Sequence, residues 1–451
     1  MDGRCPRRAR GARAGVTLVC LTLVMAGCGE ASPTGATPAG APPTGATIAP
    51  SPSVVPSPPS PSVAPSPPQA SMPVAPPSAA AAECGTVASI TGSGSTTGSR
   101  ALAKYEPPDG YSYFGFAYRL WEGDATWGDT RPFSARICDA VGVELAGKTP
   151  TTLWVWAAWF DPADASPVPF SAAKADIDRI HAALGPTVVP FLTWDFGGQE
   201  NTSKAPITTK DVAAGTYDDY IRRYASDVKD YGQPLFVAPV CFEANGNWWP
   251  GCSPKANPKL TRADFVHAWR RVIDIFREQD VTNVAWVWAP VTPLPANQDG
   301  SWDSNWKAYY PGDSYVDWIG SSLFEWGQPS WIDPVYSFAV AHAKPYFLTQ
   351  FGVRGAYTKM TNAQHLKWLT AMLDYVERHP RIKAITYWDY SGNPDKNLDG
   401  PGHVWLYDRQ VSYVANVNDD DCRLLAGGPR MRSLFADRIA APRYISAVVT
   451  P

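Results

Sequence analysis

The sequence predicts an α/β protein whose folded part is a (β/α)₈ barrel of the TIM type, and three observations lead to this class. From residue 110 onward, eight short runs rich in β-branched and aromatic residues alternate with amphipathic stretches. The alternation covers about 340 residues, which is enough for such a barrel. No glycine-rich dinucleotide or phosphate fingerprint follows any run, and this disfavours the structural alternative, a doubly wound open sheet.

The predicted strands follow one another along the chain at 113–117, 153–158, 187–193, 235–242, 283–288, 316–324, 346–351 and 384–388. The predicted helices lie between them at 172–184, 217–230, 262–279 and 363–378. In the third helix, apolar residues recur at three-to-four spacing, so one face of it is expected to pack on the barrel. These residues are Phe265, Ala268, Trp269, Val272, Ile275 and Phe276.

The first 82 residues predict export and a spacer. Five arginines precede an apolar stretch at 16–25, which ends in Ala26-Gly27-Cys28. This is typical of a signal peptide over 1–27, with Cys28 as the lipidated first residue of a bacterial lipoprotein; the alternative is ordinary cleavage nearby and free secretion. Sixteen prolines and no charged residue lie between Glu30 and Glu83, so 28–82 is expected to be a lipidated N-terminus and disordered linker. The folded domain is then 83–451, either secreted or anchored on the outer side of a bacterial membrane.

Composition limits the partners of this chain. Residues 1–27 hold five arginines and one aspartate, and without them 34 basic and 41 acidic residues remain, a net charge of −7. This balance argues against nucleic acid or an anionic membrane surface as a partner. We expect a monomer that meets a membrane only through a lipid at Cys28.

The six histidines are scattered without metal-ligand spacing, and we expect neither a metal nor a cofactor. The 19 Trp, 20 Tyr and 16 Phe suffice for a large core and an aromatic cleft.

Five cysteines fall in the predicted folded part: Cys84, Cys138, Cys241, Cys252 and Cys422. Disulfides are the default in an exported protein. Cys241 and Cys252 are eleven positions apart and bracket Glu243, which favours a bridge between them over two buried free thiols. Five is an odd number, so at least one cysteine is expected to be unpaired or intermolecular.

Polar and aromatic residues end the predicted strands, and in a parallel barrel these ends form the active site. The series is Asp195, Glu243, Trp288, Glu325, Gln350 and Asp389. Glu243 lies near two tryptophans, where desolvation would raise its pKa toward the value that a general acid needs near neutral pH. The alternative is a structural glutamate in a salt bridge.

Three segments resemble glycoside hydrolase family 26, the endo-β-mannanase family. The run 242–248, Phe-Glu-Ala-Asn-Gly-Asn-Trp, is similar to the family's acid/base motif His-Glu-Met-Asn-Gly, and 215–225 and 309–320 resemble its flanking segments. The resemblance implies a (β/α)₈ barrel that retains anomeric configuration, with Glu243 as acid/base. The nucleophile position falls on Gln350, where the family has glutamate. Phe242 stands at the family's histidine, and Phe324 and Glu325 stand where a tyrosine and a small polar residue are usual.

A glutamine at the nucleophile position leaves three hypotheses. In the first, Glu325 supplies the second carboxylate, as a displaced nucleophile or as the base of an inverting mechanism. In the second, the protein is an inactive surface lipoprotein that binds polysaccharide. In the third, an acetamido group of the substrate attacks and Gln350 orients it. The expected function is thus a cell-surface glycoside hydrolase acting on β-mannan, β-glucan or xylan, with the inactive binder as alternative.

Further strand-end residues are expected to bind the sugar. Asp195, Asn245 and Asp389 are predicted to hold hydroxyl groups, with helix capping or loop turns as the alternative. Six tryptophans are candidates for sugar stacking, and we expect about half of them to be barrel core instead. These are Trp194, Trp248, Trp249, Trp288, Trp326 and Trp388.

Overall fold

The computed structural model describes residues 101–118, 132–145, 147–161, 166–196, 207–247, 249–293, 302–324, 327–352, 362–389 and 428–449. The predicted signal peptide, Cys28 and the linker lie outside these residues. The same holds for Trp248, Glu325 and Trp326, and for Cys84 and Cys422.

Eight parallel strands close into a barrel. In chain order they are β1 (Ser112–Tyr118), β2 (Thr152–Ala158), β3 (Val189–Asp195), β4 (Leu235–Val240), β5 (Val284–Trp288), β6 (Trp318–Phe324), β7 (Tyr346–Gly352) and β8 (Ile382–Asp389). Each strand pairs with the next along the chain, and β8 pairs with β1, which also pairs with β2. The closure confirms the predicted (β/α)₈ class over the open sheet. A short strand, β9 (Tyr444–Ile445), adds to β1.

Helices cover the outside of the barrel. They are α1 (Phe133–Glu144), α2 (Phe170–Leu184), α3 (Thr209–Ala213), α4 (Asp218–Tyr231), α5 (Arg262–Glu278), α6 (Asp333–Ala341), α7 (Asn362–Arg378) and α8 (Gly428–Ile439). The predicted helices correspond to α2, α4, α5 and α7. The N-terminus of α5 follows from a capping box, in which Thr261 and Asp264 each bond the other's backbone N–H. The apolar face predicted for α5 is buried as expected.

Two hydrophobic clusters separate the inside of the barrel from its outside. The inner cluster consists mainly of strand residues such as Phe191, Phe236 and Phe347, whose rings meet across the barrel axis. The outer cluster joins the other faces of the strands to the helices. Because neighbouring residues in a strand point to opposite faces, these two clusters assign each strand residue to the inner or the outer side. The assignment decides which strand-end residues can line the mouth of the barrel.

Strand β7 departs from this alternation near its end. Leu348 and Phe351 both lie in the outer cluster although they are three residues apart. The register with β6 shifts by one residue at this point, so that Ser321 pairs with Leu348 but Ser322 pairs with Gln350. An extra residue of this kind is a β-bulge, which re-aims side chains. It places Thr349 and Gln350 together on the inner side of the barrel.

Candidate active site

Glu243 lies in the turn that follows β4, on the inner side of the barrel mouth. Its backbone has a φ of 56°, and Val240 at the end of β4 has a φ of 73°. A non-glycine residue in this left-handed region costs about 1 to 3 kcal/mol and occurs preferentially at functional sites. The Glu243 N–H donates to the carbonyl of Ala289, after β5, at 3.1 Å. The turn is therefore strained and held by a neighbouring strand end.

The turn that carries Glu243 is also fixed from both sides. The predicted disulfide between Cys241 and Cys252 is present, with 6.5 Å between the two Cα atoms. Cys138 also forms a disulfide, and its partner lies outside the described residues. Trp249, within the loop closed by the Cys241 bridge, is buried in the outer cluster instead of facing a sugar.

Asn245 is buried, and its amide links the loop after β4 to the loop after β5. The amide oxygen accepts from the N–H of Val291 at 2.8 Å, and the amide nitrogen donates to the carbonyl of Asp303 at 3.2 Å. Asp303 in turn receives two hydrogen bonds from Arg262, of 2.6 and 3.0 Å. The structure thus gives Asn245 a loop-holding role in place of the predicted contact with a sugar hydroxyl. This arrangement keeps the turn around Glu243 in one position.

The carboxyl group of Glu243 has a raised pKa. Glu243 is only partly exposed, and burial raises its pKa from 4.5 to about 7. The hydroxyl of Ser322, on the inner side of β6, donates a hydrogen bond to this carboxyl and opposes the shift. Among the described residues, no cationic side chain contributes to the pKa of Glu243. A raised pKa of this kind is what a general acid near neutral pH needs.

Gln350 lies beside Ser322 in the same region of the mouth. The two residues pair in the register of β6 and β7, and Gln350 is 8% exposed. The hydroxyl groups of Ser322 and Thr349 are 3.3 Å apart. Ser322 thus touches Glu243 on one side and borders Gln350 on the other. We call Glu243, Ser322 and Gln350 the acid side of the mouth.

The opposite wall of the mouth carries aromatic side chains. Trp156 lies on the inner side of β2, is 39% exposed, and donates its indole N–H to the carboxylate of Asp195 at 2.9 Å. Asp195 ends β3 and is 1% exposed. Trp388, at the end of β8, is partly exposed and packs on Trp154, with 5.2 Å between ring centroids. We call Trp156, Asp195 and Trp388 the platform side.

The remaining predicted sugar contacts fall in two groups. Trp194 and Trp288 are buried in the outer cluster, where Trp194 stacks on Tyr224 at 4.0 Å and Trp288 on Trp306 at 6.0 Å, so the structure places them in the core. Asp389 ends β8, but its side chain is outside what the structure describes. Trp388, which was predicted to stack on a sugar, is partly exposed at the mouth of the barrel.

The sequence interpretation missed Trp156 and Ser322. Trp156 could have been found, because Trp154 and Trp156 are two apart in a predicted strand and therefore share a face. Ser322 gave no such signal, since its role depends on the distance between β4 and β6. Trp302 was missed as well; it is partly exposed and pairs with Gly246, three residues after Glu243.

Within the described ranges, no three His, Cys, Asp or Glu side chains come together as metal ligands. None of the helices in those ranges is long and apolar enough to cross a membrane.

The geometry defines a class of protein: a parallel (β/α)₈ barrel whose mouth carries a glutamate of raised pKa after β4 and partly exposed tryptophans on β2 and β8. Residues 207–386, from just before α3 into β8, match the sequence model of glycosyl hydrolase family 26. The match includes Glu243, Ser322 and Gln350, and it supports the class of O-glycosyl hydrolases.

Two curated relatives match part of this chain. Endoglucanase H of Acetivibrio thermocellus is 35% identical over 139 residues, which are 31% of this chain and 15% of the relative. A β-1,3-xylanase of a Vibrio species is 24% identical over 143 residues, 31% of this chain and 28% of the relative. The chain thus matches less than a third of the length of either protein.

Solved structures of similar shape include two mannanases. A family 26 β-mannanase from Bacteroides ovatus has 15% identity and a TM-score of 0.46, over 75% of this chain and 90% of that one. An endo-β-1,4-mannanase double mutant from Cellulomonas fimi has 16% identity and a TM-score of 0.48, over 75% of this chain and 72% of the other.

Proposed function

We propose that this protein is a glycoside hydrolase of family 26 that cleaves a β-linked polysaccharide, with Glu243 as general acid. The observation that carries the proposal is the pKa of about 7 for Glu243, in a strained turn at the barrel mouth. A group with this pKa is still partly protonated at neutral pH and can donate its proton to the leaving oxygen. An ordinary surface glutamate is ionised at this pH and cannot.

Hydrolysis also needs a second group, and Gln350 cannot serve as an ordinary nucleophile. A neutral amide neither forms the glycosyl ester readily nor stabilises an oxocarbenium ion. A general acid alone contributes about 10² to 10⁴ in rate, which is a small part of glycosidase catalysis. We therefore propose that Glu325, which follows β6 directly, supplies the carboxylate. The substrate-assisted route, with an acetamido group oriented by Gln350, is the variant of this proposal for acetamido sugars.

A second function is favoured by Gln350 itself. Gln350 pairs with Ser322 in the register of β6 and β7, and this pairing supports a role for its amide at the mouth. An amide can donate and accept hydrogen bonds to sugar hydroxyls, so the same mouth would suit a polysaccharide-binding lipoprotein without activity. In either case we propose export through the signal at 1–27 and anchoring at Cys28, with 28–82 as the spacer. The polysaccharide is β-mannan, β-glucan or xylan.

The test measures release of reducing ends from β-mannan, mixed-linkage β-glucan, β-1,3-xylan and a β-1,4-linked N-acetylglucosamine polymer, which carries the acetamido group. The variants are Glu243→Gln, Glu325→Gln and Gln350→Glu, and Glu278→Gln on the exposed end of α5 is the matched control. The hydrolase proposal expects an active natural protein that loses activity in the first two variants and keeps it in the control. Activity that arises only in Gln350→Glu would identify the natural protein as a binder. Activity that survives Glu325→Gln and requires acetamido sugars would favour the substrate-assisted route.

A further inference from the structure

We infer that Trp156 is a stacking platform for one pyranose residue of the polysaccharide, and that Asp195 acts by positioning its indole ring. The inference rests on the proposed function for the nature of the ligand. It assigns Asp195 a different role from the hydroxyl contact that its strand-end position predicts.

A large part of the Trp156 side chain is exposed. Among the described residues, the exposed large hydrophobic side chains are Leu102, Trp156 and Val340. Trp156 is at the barrel mouth, two residues beyond the inward-facing Trp154, whereas Val340 lies on the outer helix α6. A large ring that stays 39% exposed at a strand end contributes less to the core than a buried one. Its face is available for the apolar face of a sugar.

A hydrogen bond from its indole N–H fixes the orientation of the Trp156 ring. The indole N–H of Trp156 is held by a carboxylate that is itself 1% exposed. Burying a carboxylate is unfavourable unless it accepts hydrogen bonds, and the indole N–H of Trp156 donates one of them, which favours a single orientation of the ring. An aromatic ring held in this way loses less conformational entropy on binding than a freely rotating one. Asp195 thus prepares Trp156 to meet a ligand.

Trp156 and Glu243 lie at different places around the mouth of the barrel. Trp156 is on β2, two strands from β4, after which Glu243 follows, and Trp388 on β8 lies beyond β1 on the other side. A single sugar residue at Glu243 does not require Trp156. We therefore assign Trp156 to a neighbouring residue along the chain, so the platform serves affinity for polymers more than for monosaccharides.

The experiment measures binding by titration calorimetry in the Glu243→Gln background, where turnover is expected to be about 10² to 10⁴ slower. The probes are β-1,4-mannohexaose, cellohexaose and β-1,3-xylohexaose. Trp156→Ala and Asp195→Ala are each expected to weaken binding of the preferred probe about 10-fold. Because Asp195 acts through Trp156, the double variant is also expected to lose about 10-fold. Trp156→Phe keeps a ring but loses the bond to Asp195, and we expect about a 3-fold loss. Val340→Ala is the control, and thermal melts verify that each variant is folded.

The outcomes separate this inference from the proposed function. Unchanged affinity in Trp156→Ala would overturn the platform, while activity of the natural protein would still support the hydrolase. A loss of about 100-fold in the double variant would show that Asp195 contacts the sugar itself and would overturn its positioning role. Absence of binding to all three probes before any substitution at Trp156 would overturn both proposals. Binding through Trp156 in a protein without activity would keep the inference and reject the hydrolase.

Discussion

The two sides of the barrel mouth use a carboxylic acid in opposite ways. On the acid side, burial raises the pKa of Glu243 to about 7, and no cation in the described part of the chain contributes to that pKa. On the platform side, Asp195 accepts the indole N–H of Trp156. Asp195 is the last residue of β3 and pairs with Val240, the last residue of β4, whereas Glu243 lies three residues beyond Val240 in the following turn. The two carboxyl groups therefore differ in their surroundings: a hydroxyl of Ser322 meets Glu243, and an indole N–H meets Asp195.

The largest expected effect is a fall in the rate of hydrolysis with little change in affinity for oligosaccharides. Glu243→Gln removes the proton donor and is expected to lower kcat by about 10² to 10⁴, while affinity for oligosaccharides changes less than about 3-fold. Initial rates of reducing-end release and calorimetric titration measure the two quantities. Glu278→Gln is the control for an exposed glutamate. An equal loss of affinity and rate would remove the distinction between the two sides.

The disulfide next to the acid gives the next effect. Replacing Cys241 and Cys252 by serine opens a loop of eleven residues and is expected to lower the free energy of unfolding by about 3 kcal/mol. Denaturant unfolding measures this change. Because the bridge lies on the acid side, kcat is expected to fall in the folded variant while the affinity contributed by Trp156 is retained. A variant with natural kcat would show that the bridge does not position Glu243.

The pH dependence of stability tests the environment of Glu243. Because its folded pKa is raised, the folded state holds this proton more tightly than the unfolded chain. The associated stability is fully present below pH about 4.5 and is lost as pH rises through about 7. Above that pH, Glu243→Gln is expected to be more stable than the natural protein by at most about 3 kcal/mol, and the difference should vanish toward pH 4. Unfolding of both proteins between pH 4 and 8 measures it, with Glu278→Gln as control.

The smallest effect concerns Trp388. Trp388→Ala removes a partly exposed ring from the platform side and is expected to weaken oligosaccharide binding about 10-fold. The pH at which activity declines should stay unchanged, because the ring lies on the opposite wall from Glu243. A shift of that pH in Trp388→Ala would show that the two sides are electrostatically coupled.

Much of the fold could be predicted because strand alternation and helix periodicity are local. All eight strands lie where the pattern indicates, with ends displaced by a few residues; the third strand, for example, runs to Asp195 and not to Thr193. Helices α1, α3, α6 and α8 were not predicted. Of these, α3 spans only five residues, so its sequence carries little periodic signal.

The site could be predicted only in part. Glu243 and the bridge from Cys241 follow from local sequence, and the structure places them as expected. The roles of Trp194 and Trp156 do not follow from local sequence in this way. The alternation within each strand decides which tryptophan faces into the barrel, and Trp194 faces the helices. The inward position of Gln350 depends on the bulge in β7, a register shift between two strands that a single strand's sequence does not reveal.

The pH profile of hydrolysis tests the central claim most directly. The quantity is kcat/KM for release of reducing ends by the natural protein, measured from pH 4 to 9 on the polysaccharide it prefers. If Glu243 is the general acid, kcat/KM declines above pH about 7, by about tenfold for each further pH unit, and the residual activity of Glu243→Gln lacks this decline. A decline that begins near pH 4.5, or one that persists unchanged in Glu243→Gln, would contradict the role assigned to Glu243.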